Sequence, residues 1–533
     1  MYNYYDTIII GGGLAGLVTA YELLRSPYKG SILIVEQNSI KYLGGLARQA
    51  FGGMLLVDTP LQKLNRIKDS KELASKDWLN FAEFTAEDHW PQRWAEHYIQ
   101  SSPKLWEWLL SLQLRFFPVV QWVERGLYTP GNSVPRYHIL WGTGNRLILQ
   151  LMAGINQQND TQQLSIKDQQ VVQHISRDTS GVFELNVIAG SGEAAHYRCH
   201  SLVVAAGGVA GNLEQVKKHW RIGSQLEGLL NGSHPAADGR MHHQVKQLGG
   251  NITHLDKMWN YAAGIHHPTP QFANHGLSLI PAKSALWLNA KGERIGPEPL
   301  ITGYDTHFLC QQVAKESAGY TWQVLNKRIA LKEIAISGAE HNPSLRDRRL
   351  IQFLLENLRG NHQLIEYLVQ QSSDVVIATS ITELADKMNQ ISRKPDISSS
   401  TLKSTIHCYD QNINRGKQFY NDDQLRRINQ LRTWRGDRVR TCQIKPIDDP
   451  KAYPLIAIKL HLISRKSLGG IQTNLASQVL QQNHQVTENL YAVGEAAGFG
   501  GGGMCGKRSL EGTFLSGCIL TAMNAAANIT KTQ

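Results

Sequence analysis

The stretch that most limits what this chain can become is its beginning, Asp6-Thr-Ile-Ile-Ile-Gly11-Gly12-Gly13-Leu14-Ala15-Gly16, followed by Ser31-Ile-Leu-Ile-Val-Glu36. Ile8, Ile9 and Ile10 form a β-branched run, the pattern of a strand buried on both faces. Gly11, Gly13 and Gly16 give G-x-G-x-x-G at the turn from that strand into a helix. Gly11 permits the tight turn, Gly13 lets a pyrophosphate approach the backbone, and Gly16 lets helix pack on strand. Leu17 to Leu24 continues a helical apolar pattern. The helix start at Leu14 and Ala15 offers free N–H groups and a positive dipole end to phosphate oxygens. Glu36 ends the next strand about 20 residues on, where an acid accepts ribose hydroxyls. The glycine pattern alone is a weak signal. Strand, glycines, helix, strand and terminal acid in register predict a dinucleotide site.

At 533 residues the chain is too long for one core, so two or more domains are expected. Hydrophobic residues make up 42% and charged residues 19%, the balance of an ordinary soluble protein. No apolar run approaches the roughly 18 residues of a membrane span. Met1-Tyr-Asn-Tyr-Tyr leads straight into the first strand, so no signal peptide is expected. Six cysteines are scattered without a C-x-x-C pair, which argues against a disulfide framework or a structural zinc site. The expected home is a reducing cytoplasm, and no metal is expected. The net charge of +11 would suit nucleic acid, an anionic membrane surface or an anionic substrate. The basic residues are thinly spread, however. The densest group, Arg346-Asp-Arg-Arg349, reads as a solvated face, and no nucleic-acid module is present. Peripheral membrane contact remains open and would be salt-sensitive.

Further along, Gly44-Gly45-Leu46 and Gly52-Gly53 suit a loop folded against a cofactor, or an ordinary glycine-rich loop. From Asp77 to about Leu151 lie seven of the chain's 12 tryptophans. This is either a helical insert with aromatic core positions or in part the wall of a pocket for a bulky apolar substrate. Arg136-Tyr-His138 and Trp141-Gly-Thr-Gly144 follow as a polar segment suited to the edge of a site. Val182 to Ile188 alternates as a strand. Ser201-Leu-Val-Val-Ala-Ala206-Gly207-Gly208 reads as a buried strand returning to the nucleotide sheet. Asp238 opens a helix, as N-cap or as ligand to a hydroxylated chain. A mixed block from 254 to about 445 is the candidate second domain. It has helices over Glu356–Gln371 and Ile381–Ile391, a polar helix start at Ser398, and a strand–turn–strand unit at Ala285–Arg294. After 446 the chain returns to the first domain through Gly469-Gly470 and Leu490-Tyr-Ala-Val-Gly494-Glu495. Gly500 to Gly503 imply a backbone lying against something flat or a flexible hinge, the first favoured because Arg508 and a small-residue helix from Leu510 follow.

These residues together resemble the FAD-dependent flavoproteins that include fumarate reductase, succinate dehydrogenase and 3-ketosteroid Δ1-dehydrogenase. The resemblance covers essentially the whole chain. It rests on Gly11/Gly13/Gly16/Glu36, Gly44-Gly45, Gly52-Gly53, Ala206-Gly207-Gly208, Asp238-Gly239, Asn289/Gly292/Arg294, Gly469-Gly470 and Gly494-Glu495. The Trp-rich segment resembles most a branch of steroid-dehydrogenase-like FAD-binding dehydrogenases. The implied fold is α/β, a glutathione-reductase-type, Rossmann-like FAD domain (1–253 and 446–533) with an inserted α+β capping domain (254–445), substrate lying between them. The resemblance implies Glu36 on the adenosine ribose and Glu495 on the ribityl chain. It also implies a helix beginning near Arg508 and Leu510 that points its positive end at the flavin. Leu46 stands where membrane-complex relatives carry the histidine that bonds flavin covalently, so the FAD is expected to be non-covalent.

The resemblance also implies catalytic roles. Fumarate reductases place a proton-donating arginine where this chain has Tyr304, in Thr302-Gly303-Tyr304-Asp305. The Δ1-dehydrogenases have a tyrosine there that acts as base, and a phenol needs nearby positive charge to do so. Their second, ketone-polarising tyrosine aligns with Leu455, and Tyr453 is two residues early. Arg508 matches the arginine that holds a substrate carboxylate in the reductases. His267, in His267-Pro-Thr269, and His461 match substrate-binding histidines more loosely. The expected activity is a 3-ketosteroid Δ1-dehydrogenase-like oxidation of a CH–CH bond beside a carbonyl. Flavin N5 would take the hydride and Tyr304 the proton. The substrate is a hydrophobic or carboxylated carbonyl compound, and a diffusible quinone is the acceptor. The alternatives are fumarate-reductase-like reduction of an unsaturated carboxylate and a non-catalytic flavin redox sensor or carrier.

Overall fold

The computed structural model describes residues 3–159, 162–220, 222 and 228–532, so the opening Met1 and Tyr2 lie outside it. The chain forms two compact units. One comprises Met1–Trp220, Ser233–Trp259 and Lys466–Gln533, the other Arg221–Gly232 and Asn260–Arg465.

The first unit is built on the N-terminal pattern. Strand β1 (Asn3–Ile10) pairs in parallel with β2 (Ile32–Val35) on one side and with Ala194–Val204 on the other. Ile8 stands opposite Leu33 and Leu202. Leu164–Lys167 and Val486–Ala492 extend the parallel order outward. Ile8 and Ile10 turn to one face, where they pack with Leu33, Val35, Leu202, Val204, Leu490 and with Met241 and Val245 of the helix Arg240–Gln247. The other face is covered by helix α1 (Leu14–Arg25) and the C-terminal helix Thr513–Thr532, which pack together. Both faces are therefore buried, which is why the strands read as unbroken apolar runs rather than alternating ones. The carboxyl ends of β1, β2, Ala194–Val204 and Val486–Ala492 open to one edge, the place where such sheets take ligands.

The Trp-rich segment belongs to this unit as the helices Lys71–Ala82 and His89–Ser111. Trp78 and Trp94 are fully buried, and their indole N–H groups donate to the carbonyls of Met504 (3.0 Å) and Asn474 (3.1 Å). The aromatic-core reading holds for both. The glycine run is explained here too. A Cβ at Gly500 would lie 2.6 Å from the Trp94 indole, and one at Gly501 2.7 Å from it. The flat object against the backbone is a tryptophan of this chain.

The second unit is a mostly antiparallel sheet with helices. Its spine is the strand Leu455–Ser467, paired with Thr321–Asn326 and with Val375–Ala378, so that Ala457 stands opposite Val324 and Val376. Leu230–Asn231 joins the same strand in parallel. The unit therefore runs to Arg465, past the expected boundary at 445, because cutting there would remove the central strand of its sheet. The single helix expected over Glu356–Gln371 is two, Leu350–Arg359 and His362–Gln371, broken at Gly360 by φ +94°. Ser398 caps the helix Ser399–Asn414 as expected, accepting the Thr401 N–H at 3.1 Å. Among the described residues no helix is long and apolar enough to cross a membrane, and the six cysteines are free.

Candidate functional site

The strand ends of the first unit form a glycine-lined cradle. Gly11 has φ +105°, and a Cβ there would lie 2.5 Å from the Ala205 carbonyl, so the turn admits glycine alone. A Cβ at Gly16 would meet the Gly11 carbonyl at 2.0 Å, the close helix–strand packing expected of it. Gly13 differs: a Cβ there meets nothing within 4 Å. Its backbone is extended, with φ −71°, so neither packing nor conformation within the chain demands glycine at this position. What it keeps clear is space in front of the start of α1, where Leu14 and Ala15 carry the first helical N–H groups.

Glu36 sits at this edge, 9% exposed. Its carboxylate accepts the Gly12 N–H at 2.7 Å, the Asn38 N–H at 2.7 Å and the Asn38 side chain at 3.0 Å. It is thereby fixed in the turn it shares with the glycines. Gly44 donates its N–H to the Gly12 carbonyl at 2.8 Å and bridges Gly13, so the Gly44-Gly45-Leu46 loop lies directly on the cradle. On the other side, Ala205 and Ala206 back Gly11, and Gly207 turns with φ +77°. A Cβ at Gly208 would lie 2.4 Å from the Glu495 carboxylate. Glu495 accepts from the Ser467 N–H at 2.9 Å and its hydroxyl at 3.1 Å. Gly494 approaches Ala15 so closely that a Cβ would lie 2.8 Å from the alanine methyl. Asp238 is not the N-cap of the helix it precedes. Gly239 is, and Asp238 accepts the Arg240 N–H at 2.8 Å.

Three expectations change here. The helix near Arg508 begins only at Thr513, because Gly512 with φ +103° interrupts the chain before it. Leu510, 1% exposed, lies in the preceding turns. Arg508 is therefore not at a helix start. Its guanidinium pairs with Glu83 and stands 5.9 Å from the Phe81 ring centre. Burial alone would raise the Glu83 carboxyl, but Lys507 and Arg508 outweigh it and hold it below the ordinary range. Second, Arg136 is 1% exposed and does not offer itself to a substrate. It grips Asp69 with Nε at 2.9 Å and Nη2 at 2.8 Å, and Asp77 at 2.6 Å and Asn132 at 2.9 Å with Nη1. A buried cation needs such partners, and the two aspartates reached it across 67 and 59 residues of sequence. Third, the Gly52-Gly53 pair is spoken for by the protein. A Cβ at Gly53 would lie 1.8 Å from the ring of Tyr137, and one at Gly52 2.8 Å from Thr143.

Tyr137, not Arg136, is thus the member of its segment that packs on these glycines. It also lies beside Gly512. Its hydroxyl makes no hydrogen bond within the protein among the described residues. Burial pushes the phenol above its usual range, and the charge of Glu511 pushes it further. Such a phenol stays protonated and keeps an O–H to donate. Single-sequence pattern did not distinguish it, since a lone tyrosine in a polar segment has no periodicity to mark it.

The second unit holds the remaining candidates. Tyr304 is 9% exposed and packs with Ile301, Ile428 and Leu431. Its hydroxyl lies 3.0 Å from the Arg427 carbonyl and 3.0 Å from Gln430 Oε1. The Arg427 guanidinium stands 5.6 Å from the ring centre. Asp305 caps the helix that follows, accepting the Phe308 N–H at 2.9 Å. His267 accepts the Thr269 N–H at 3.1 Å and stacks on His275 at 4.2 Å, and burial pushes its imidazole below the usual range. His461 is 6% exposed, with both ring nitrogens unbonded. It shares a cluster with His266 and Asp374, whose ligand atoms all lie within 4.8 Å of one another, close enough to hold a cation. Asp374 accepts both the backbone N–H (2.7 Å) and Nδ1 (2.9 Å) of His266. The three residues are too far apart in sequence for any spacing rule to have found them.

The chain matches the model of the FAD binding domain family over residues 6–515. It is 38% identical over 535 residues to a KsdD-like steroid dehydrogenase of Mycolicibacterium smegmatis, covering 96% of each chain. Among solved structures it resembles the 3-ketosteroid Δ1-dehydrogenase of Sterolibacterium denitrificans, at TM-score 0.71 and 14% identity, covering all of both chains. It also resembles a flavocytochrome c3 fumarate reductase, at TM-score 0.69 and 16% identity, over 99% of this chain and 78% of that one. At such identities these two show a shared fold.

Proposed function

This chain belongs to the FAD binding domain family and is an FAD-dependent oxidoreductase, and we propose that its reaction removes hydrogen from a CH–CH bond beside a ketone of a bulky, uncharged, steroid-like substrate. The observation that carries this reading is the state of Arg508. In a dicarboxylate reductase an arginine at this position must be available to a substrate carboxylate. Here its charge is already answered by Glu83, with Lys507 sharing the same carboxylate at 2.7 Å. A dicarboxylate would have to displace an existing anion, whereas a neutral ketone would not. The name of the Mycolicibacterium relative points the same way.

The residues present fit the cofactor. The clear space before Gly13 and the start of α1 would take the pyrophosphate, Glu36 the adenosine ribose, and Gly207, Gly208 and Glu495 the ribityl side. Leu46 offers no nucleophile, so attachment is non-covalent. FAD, when bound, supplies the hydride acceptor. In the first unit, Tyr137 keeps its proton and is the hydrogen-bond donor we propose for a ketone beside Gly53 and Gly512. In the second unit, Tyr304 is the proposed proton acceptor. The Arg427 guanidinium near its ring supplies the positive charge a phenolate requires. A quinone-like diffusible compound is the proposed final acceptor.

The test is turnover of a 3-ketosteroid such as 4-androstene-3,17-dione with a dye acceptor, against fumarate reduction by a reduced dye. Steroid dehydrogenation without fumarate reduction is expected. Fumarate reduction alone would overturn the reading in favour of the carboxylate enzyme, and a flavin that turns over neither would place the protein among redox carriers or on another substrate.

A further inference from the structure

The second unit carries two adjacent surface features that no catalytic role absorbs. The first is the helix Leu350–Arg359. It exposes Leu350 (54%), Ile351 (77%), Leu354 (48%), Leu355 (42%) and Leu358 (76%). These are five of the 17 large apolar side chains exposed among the described residues, concentrated in ten positions. Their i, i+1, i+4, i+5, i+8 spacing places them on one face. Val439, on the neighbouring helix Arg435–Arg440, is 48% exposed as well. Arg346, Arg348 and Arg349 precede the apolar face and Arg359 ends it, with Asp347 pairing Arg346 and Arg349.

The second feature is a cavity of about 590 Å³ whose wall includes Leu358 and Arg359 of that helix. Eight of its 16 lining residues are lysine or arginine, and none is aspartate or glutamate. Three of the eight are partly engaged: Arg328 pairs with Asp449 at 2.7 Å, Lys332 gives its ammonium to the Asn357 carbonyl at 2.6 Å, and Arg432 donates to the Thr441 carbonyl. Burial holds Lys332 below the ordinary ammonium range, with the charges of Arg440 and Arg432 adding to it. Thr441, 1% exposed, lines the same cavity with its hydroxyl oxygen unbonded. Like charges gathered around a polar cavity repel one another, and an anion seated there removes the repulsion.

We propose that the helix Leu350–Arg359 and the adjoining cationic cavity form a docking surface for a bilayer containing anionic phospholipid. The leucines enter the boundary between headgroups and acyl chains, and the cavity receives a lipid phosphate. The two features decide the occupant only when taken together. A free phosphorylated solute would account for the cavity but leave five aliphatic side chains in water. A second copy of the chain would cover the aliphatics but would bring one cationic cavity toward another. An anionic membrane satisfies both. The proposal is independent of the reaction proposed above, and its readout is vesicle binding.

The test uses the full-length, FAD-loaded chain in co-sedimentation with vesicles of phosphatidylcholine, alone or mixed with phosphatidylglycerol, at low and high salt. Partition onto the anionic vesicles is expected to be at least about tenfold stronger, and to fall as salt rises. The exposed-site variants Leu354→Glu/Leu358→Glu and Arg438→Glu/Lys445→Glu should each lose it. A factor of about five is expected per charge removed, while folding and dye-linked turnover stay unchanged. No binding at low salt, indifference to lipid charge, or retention by both variants would overturn the proposal. Saturable binding of pyrophosphate without vesicle binding would instead assign the cavity to a soluble ligand. A dimer that Leu354→Glu/Leu358→Glu dissolves, again without vesicle binding, would assign the face to a second copy.

Discussion

Two alanine substitutions three residues apart should fail in opposite ways, and the structure says how. At Gly16 a Cβ would sit 2.0 Å from the Gly11 carbonyl, an overlap with backbone that no rotamer relieves. Helix propensity favours alanine there by about 1 kcal/mol. Forcing apart a packed helix–strand contact costs about 1–3 kcal/mol or more, so the net is destabilisation. At Gly13 a Cβ touches nothing within 4 Å and the backbone is extended. Alanine at that helix N-cap costs the apo fold up to about 1 kcal/mol relative to glycine. The methyl would fill the space through which phosphate oxygens reach backbone N–H groups. Loss of one charge-assisted hydrogen bond is worth about 1.5–3 kcal/mol, or roughly ten- to hundredfold in affinity. Gly13→Ala should therefore melt no more than about 4 °C below the wild type after removal of FAD, and bind FAD ten- to hundredfold more weakly by flavin fluorescence titration. Gly16→Ala should melt lower both with and without FAD. Wild-type FAD affinity in Gly13→Ala would refute the assignment of that open space to the pyrophosphate. Wild-type stability in Gly16→Ala would refute the packing argument.

Replacing Glu83 with glutamine should remove the carboxylate partner of Arg508 and tighten dicarboxylate binding, read as a malonate-induced change in the flavin absorbance, by two- to fivefold. The gain is small because Glu83 is a partly exposed partner, for which ion pairs contribute about 0.2–1 kcal/mol; an unchanged malonate affinity would show that Arg508 does not govern carboxylate selection. Tyr304→Phe should lower steroid turnover about 10²- to 10⁴-fold with little change in FAD content, whereas full activity would move the base elsewhere. Tyr137→Phe should slow turnover less steeply and change its dependence on the acidity of the substrate C–H, as expected for loss of a hydrogen-bond donor; a Phe variant with a wild-type profile would remove Tyr137 from the reaction. The Asp374–His266 pair should shape stability against pH. Burial would raise Asp374, but the His266 hydrogen bond outweighs it and the carboxyl lies low, so its contribution is present above about pH 4 and lost in acid. Hydrogen bonding to Asp374 raises His266 despite its burial, so that contribution is present below about pH 6.5 and lost as pH rises through the raised value. The difference in melting temperature between wild type and Asp374→Asn should therefore be largest between about pH 4 and 6.5, and a difference flat with pH would show the pair contributes nothing.

What the sequence alone determined is whatever depends on neighbours along the chain. The apolar run Ile8–Ile10, the glycines that follow and the acid at Glu36 dictate strand, turn, helix and strand within 36 residues, and the first unit assembles on them as read. Local capping was legible for the same reason, as at Ser398. The tertiary structure decided everything that requires two distant segments to meet. Four glycines at 500–503 announce a close approach, but only folding reveals that the approaching surface is Trp94. Arg136 looked like a substrate ligand until Asp69 and Asp77 closed on it. Arg508 looked like a free anion anchor until Glu83 did the same. A charge has no preferred partner in sequence, because Coulomb attraction acts through space. The partners of these arginines, the packing of Tyr137 and the meeting of His266, Asp374 and His461 therefore show only once the backbone brings distant segments within reach.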